Sequence, residues 1–328
     1  MRPVYVVIIS VFCFASCGGY PAGTTVFVTN ERDGTISVID AETDKVVDTI
    51  KTGGRPRGIK MSADRKLAFV AVSAPFHDQK AEGFDKILVI DTLDGSIKKS
   101  IDVGADPEQL AVDPNQKLLY VSNEDGGTAT VTDAETGETV NVLITGIEPE
   151  GVAISPDGKW VYVMAETSST VTVIDTEKQS VVKTFLVGTR PRDAAFSPDG
   201  TRAYVSSEVG KELAVVDVPS HTVIETIAAA RYDASISPVG VQVSPDSTRV
   251  YLANGRGNSV SVIDAATYDL LETIPVGERV WGIGLTPDGK KLYAANGISN
   301  NVSVIDTATE KVIATIPVGQ GAWGVAIR

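Results

Sequence analysis

Alternating apolar and polar positions run along this chain in short stretches, and the same phrase, two hydrophobic residues followed by aspartate, ends such a stretch seven times, once with a threonine, Thr132, directly before the aspartate. The aspartates are Asp40, Asp91, Asp133, Asp175, Asp217, Asp264 and Asp306, spaced by 51, 42, 42, 42, 47 and 42 residues. Period-two alternation is the mark of a half-buried strand. A repeat in the low forties with four strand-like pieces per period predicts an all-β fold, a seven-bladed β-propeller of four-stranded blades. The clearest unit runs from Gly151 to Val187. In it Gly151 to Ser155 reads as an inner strand, Ser155-Pro156-Asp157-Gly158 as a tight turn, Trp160 to Val163 as a second strand, Thr170 to Asp175 as a third and Val181 to Val187 as an outer fourth. The repeated aspartate after the third strand reads as a turn cap.

The two ends of the repeat fit each other. The first copy begins at its second strand, Val26 to Asn30, and the last stops after Trp323 to Ile327, so the C-terminal strand is expected to complete the N-terminal blade and close the ring. The two long spacings locate insertions at Ala74 to Phe84 and Ala230 to Ser237. Ahead of the repeats, residues 1 to 16 carry one charge, Arg2, and an apolar run from Val4 to Ala15, too short for a mature span and suited to a secretory leader. Phe14-Ala15-Ser16-Cys17 resembles a bacterial lipobox, with Phe14 in place of the usual leucine. The expected organisation is a signal peptide over 1–16, a lipidated Cys17 and flexible tether over 17–24, and one propeller over 25–328. The lipid is expected to anchor an exported protein to the outer membrane, its one membrane contact, and simple secretion is the alternative. Cys13 and Cys17 both lie in this leader, so no disulfide is expected in the propeller. A net charge of -13 argues against nucleic acid and against loose attachment to anionic lipid.

The strand Leu119-Tyr120-Val121-Ser122-Asn123, its counterpart Val26-Phe27-Val28-Thr29-Asn30 and the Ser-Pro-Asp-Gly turns resemble the YVTN family of bacterial propellers along the whole length after the leader. A series of x-Pro-x segments is similar to the propellers associated with pyrroloquinoline-quinone-dependent catabolism: Arg55-Pro56-Arg57, Asp106-Pro107-Glu108, Glu148-Pro149-Glu150 and Arg190-Pro191-Arg192, with Arg279-Val280-Trp281 and Ala322-Trp323 in the same place. That resemblance implies a periplasmic setting near quinoprotein alcohol oxidation, with the quinone as the cofactor at hand, and no established reaction.

In such a blade the x-Pro-x segments and the ends of the second strands are expected to converge at one mouth of the channel. They would bring together Arg57, Glu108, Glu150, Arg192, Val239, Trp281 and Trp323 with Glu31, Glu124, Glu166, Glu208, Asn254 and Asn296. Two readings stay open. One is a cup in which Arg55, Arg57, Arg190, Arg192 and Arg279 hold carboxylates while Trp281 and Trp323 stack on a planar ring, suited to a quinone acid. The other is an ion network that closes the blades. His77 and His221 are expected at the surface, with no transition-metal site. Neither a covalent-haem motif nor a nucleophile elbow occurs. A non-catalytic binding or docking scaffold, monomeric, with a protein or a small anionic or aromatic ligand at the mouth, is therefore favoured over a lactonase-like hydrolase using mouth carboxylates and calcium.

Overall fold

In a computed structural model, residues 19–21, 23–76, 78, 81–228 and 236–328 are described. Cys17, His77 and most of the second insertion lie outside them, as does the whole expected leader. The described residues form 28 strands, β1 to β28 in chain order, in seven four-stranded antiparallel sheets. The fourth blade, β12 (Pro149–Ile154), β13 (Trp160–Ala165), β14 (Thr170–Asp175) and β15 (Ser180–Leu186), matches the strands expected from the repeat within two residues at each end. The chain is thus an all-β, seven-bladed propeller.

Closure is also as expected. β28 (Ala322–Ile327) pairs antiparallel with β1 (Thr25–Asn30), which continues into β2 (Thr35–Asp40) and β3 (Lys45–Lys51). Val26 stands opposite Ile327 and Val28 opposite Val325, so the first blade is stitched from both ends of the chain. The last residue, Arg328, donates to the carbonyls of Thr92, Pro21 and Gly23. In the stretch expected as a tether, Tyr20 is anchored: its amide donates to the Leu93 carbonyl at 2.6 Å, its hydroxyl to Asp48 at 2.6 Å, and its ring sits edge-on to Phe27.

Each second strand carries an aromatic residue at its centre, namely Phe27, Phe69, Tyr120, Tyr162, Tyr204, Tyr251 and Tyr293, and each of these is buried between blades. A buried phenol needs a hydrogen-bond partner. The following blade supplies it from the turn between its third and fourth strands: Gln179 for Tyr120, His221 for Tyr162 and Asp44 for Tyr293. This corrects the expectation of a surface histidine. His221 is 8% exposed, lies 2.8 Å from the Tyr162 hydroxyl and meets the Trp160 ring edge-on, and burial lowers its pKa from the ordinary range. The repeated aspartates do cap turns, as Asp175 does by accepting from the amides of Glu177 and Lys178.

Deleting residues 322 to 328 leaves the first blade without its inner strand and exposes the buried β1. The cooperative thermal transition followed by circular dichroism is expected to disappear. A sharp transition within a few degrees of the parent would show that closure is dispensable.

Candidate functional site

The inner strands are β4 (Arg55–Met61), β8 (Pro107–Val112), β12, β16 (Pro191–Phe196), β20 (Pro238–Val243), β24 (Val280–Leu285) and β28. All seven slip register against their neighbour at the same point, for instance between Pro56 and Ile59, Pro149 and Val152, and Pro191 and Ala194. Bulges of this kind redirect a side chain. Here each one falls at the residue after the proline or its equivalent, at one mouth of the channel. Hydroxyls from the second strand of the preceding blade pin these residues: Thr29 donates to the Arg57 carbonyl, Ser122 to that of Glu150 and Ser206 to that of Val239. At the next position five blades carry glycine. A Cβ on Gly151, Gly282 or Gly324 would stand 2.3 to 2.6 Å from the carbonyl oxygen of Arg192, Trp323 or Arg57, so at these three blades the inner strands approach too closely for a side chain, whereas two other blades carry Gln109 and Asp193 at the same position.

The expected ring residues do converge, and the arginines are saturated. Arg57 pairs with Glu108, with Glu31 at 3.3 Å and with Glu124 at 3.8 Å. Arg55 reaches Asp106 at 2.7 Å and the Ala74 carbonyl at 2.6 Å. Arg192 pairs with Glu150, Glu166 and Glu208, and Arg190 with Glu166 at 2.6 Å. Glu208 also takes Arg279 at 2.8 Å and Arg256 at 3.7 Å. Burial alone would raise the Glu208 carboxyl, but Arg192 and Arg279 outweigh it and hold its pKa below the usual range. Glu124 goes the other way. Burial and repulsion from Glu150 raise its pKa, with Arg57 opposing.

The aromatic side is packed as well. The Arg279 guanidinium lies 3.9 Å from the Trp281 ring centre and that of Arg192 5.1 Å, while Trp323, 7% exposed, stacks on Trp281 at 6.2 Å and 28°. Room for Trp281 comes from a substitution that reading the motifs had missed. Where four blades place Glu31, Glu124, Glu166 and Glu208 just past the second strand, two others place Gly255 and Gly297. A Cβ at Gly297 would stand 2.7 Å from the Trp281 ring. Asn254 and Asn296, expected at the mouth, are instead fully buried, one residue earlier in register. Like Asn30 and Asn123 they donate to side-chain hydroxyls or amide oxygens on the third strand of their own blade.

These contacts decide what the mouth can hold. A quinone acid needs free cations and an open aromatic face, and neither is present among these residues, so they do not fit it. Asp106, Glu108 and Glu124 bring carboxylate oxygens within 4.8 Å of one another. Asp106 and Glu108 are already paired with Arg55 and Arg57, so the trio does not fit calcium without expelling two arginines.

Arg192→Met leaves the buried Glu150 carboxylate without a basic partner and takes one arginine from Glu166 and from Glu208, and is expected to cost about 3–5 kcal/mol in urea unfolding at neutral pH. Glu124→Gln is expected to do the reverse. An acid whose folded pKa is raised costs stability above that pKa and none below the unfolded value near 4.5. The variant should therefore melt above the parent at pH 7, and the gap should close by about pH 4. A variant that melts lower at pH 7 would show that the Arg57 contact dominates.

Residues 182–315 match the family model described as Lactonase, 7-bladed beta-propeller. Over 124 residues, 37% of this chain, the sequence is 29% identical to the seven-bladed beta-propeller protein Rv1057 of Mycobacterium tuberculosis, and the match spans 30% of that protein's length. Among solved structures, hydrazine synthase of Kuenenia stuttgartiensis superposes with a TM-score of 0.75 at 22% identity, over 87% of this chain and 92% of that one. A functionally unknown protein of Desulfotomaculum acetoxidans does so with a TM-score of 0.78 at 17% identity, over 93% and 99%. At such identities the structures speak for fold alone, and sequence and structure agree that this chain is a seven-bladed β-propeller protein.

Proposed function

We propose that the chain is a non-catalytic docking propeller whose channel-mouth face receives a cationic protein surface. The observation that carries this is the fate of the mouth arginines. The ring arginines Arg55, Arg57, Arg190, Arg192 and Arg279 are all paired with carboxylates, and one sector is left with acids in surplus. Asp85, Asp125 and Glu148 have no basic partner within 4 Å among the described residues, and burial with repulsion from Asp106 raises the Asp85 carboxyl. Beside them Ile144 and Ile147 are 80% and 62% exposed and share a groove with Glu124, Asp125 and Glu148. Apolar side chains rimmed by carboxylates suit a basic protein patch with an apolar centre. A rigid ring behind the groove favours docking, since little is reorganised on binding.

For the setting we propose the periplasm, with a lipid on Cys17 and quinoprotein alcohol oxidation as the neighbouring chemistry. The leader, the lipobox-like phrase and the x-Pro-x resemblance support it. The partner would then be a basic dehydrogenase or electron-transfer protein, and the quinone itself is not the ligand.

Lactone hydrolysis is the second reading, supported by the family match. The matched stretch contains one mouth carboxylate of the ring, Glu208, kept ionised by its arginines and so available as a base but not as an acid.

Native mass spectrometry of protein purified without chelator from its own envelope tests both. A protein-sized adduct is expected, lost in about 1 M salt and in Asp125→Asn/Glu148→Gln. An adduct of small-molecule mass lost in Trp281→Ala/Trp323→Ala would overturn docking. Hydrolysis of gluconolactone above the buffer rate, abolished by Glu208→Gln, would replace it with the second reading.

A further inference from the structure

The other end of the same channel has a different chemistry. Three residues after the ring position, the inner strands carry Lys60, Ala111, Ala153, Ala195, Gln242, Gly284 and Ala326. Six of the seven are small or neutral, and Lys60 is the one cation. Lys60 and Gln242 line a cavity of about 320 Å³ whose other side chains, including Val152, Ile154 and Phe196, are apolar. The same two residues line an adjoining hollow of about 350 Å³ walled by Leu285, Val325 and Ile327, with Arg65 at its rim. In contrast to the ring arginines of the opposite mouth, the Lys60 amine has no hydrogen-bond or ion-pair partner within 4 Å among the described residues. Its charge acts on Asp193, which lies deeper in the channel. Its carboxylate is engaged by the amides of Ala194 and Val241 at 2.9 and 3.2 Å.

A hollow walled by apolar side chains, with a few convergent polar groups, is the usual form of a small-molecule site. We propose that this mouth binds a small monocarboxylate with a short apolar chain, its carboxylate on the Lys60 amine and the Gln242 side-chain amide and its chain along the alanine and valine wall. The charge state follows from the surroundings. Lys60 offsets one negative charge and Arg65 stands only at the rim of the adjoining hollow, so a second negative charge would face the Asp193 carboxyl deeper in the channel. Phosphate is therefore disfavoured, and so is a cation, which would meet Lys60 and Arg65 first. The site lies on different residues from the acidic groove, so it stands or falls independently of the docking role.

Isothermal titration of the full chain with hexanoate, hexylammonium and inorganic phosphate tests it. Hexanoate is expected to saturate at one per chain while the other two do not. Lys60→Met should weaken it about tenfold or more, Gln242→Leu less, and Lys60→Arg should retain it. Each variant is compared only at a parental melting midpoint, and Asp125→Asn/Glu148→Gln should leave hexanoate binding unchanged. Absence of hexanoate binding, equal affinity in Lys60→Met and Gln242→Leu, or tighter binding of phosphate would each overturn the proposal.

Discussion

Everything in this molecule depends on the seam between β28 and β1. A propeller blade has no core of its own, and its apolar faces are buried only by neighbours on both sides, so the ring must close for any blade to be complete. With no disulfide expected, closure rests on one antiparallel pairing and on the clusters it completes. Val26, Val28 and Ile327 pack with Tyr293, Val302 and Val304 of the seventh blade, and Phe27 and Ala326 pack with Ile59, Val70 and Ile90 of the second. The seam holds Trp323 and Gly324 against Thr29 and Arg57, so the aromatic and charged parts of the mouth meet across it.

Closeness of the inner strands then dictates the chemistry at their ends. Glycines bring neighbouring backbones together, and the bulges that accompany them push the ring side chains into one crowded annulus. Charged groups confined there cannot remain solvated singly, and opposite charges on adjacent blades are the stable solution. Arg192 with its three glutamates and Glu208 with its four arginines are one continuous arrangement spanning several blades. A network so saturated holds the blades together and has little left to offer an anion. In the proposed docking role, recognition would fall to the carboxylates that the network leaves over.

The fold was legible because period, strand alternation and the complementary ends are properties of single positions read in order. The convergence of Arg57, Glu108, Glu150 and Arg192 was legible for the same reason, since the repeat places equivalent residues at equivalent heights. What the repeat could not show is which side chain touches which across blades. His221 looked like an isolated surface residue because its partner, Tyr162, is one blade away, and Asn254 looked like a mouth residue because a one-residue offset separates it from Glu208. Gly255 and Gly297 carried a usable signal, as the only glycines where other blades have glutamate or alanine. That signal becomes meaningful only when the bulk of Trp281 is placed against Gly297.

A seven-fold scaffold makes the departures from symmetry more informative than the repeat. Positions that every blade shares serve the scaffold, the central aromatics by packing between blades and the aspartates by capping turns. Lys60 departs from a ring of small and neutral residues without a partner to explain it, whereas Arg57 and Arg192 depart from their ring with partners that do. A charge that the fold does not need for packing, facing an apolar hollow, has no structural account, while a charge buried in a completed pair has a full one. By that criterion the lysine end of the channel, with Lys60 outside any ion pair, is the better-formed small-molecule site, and the arginine-rich end is the scaffold's own fastening.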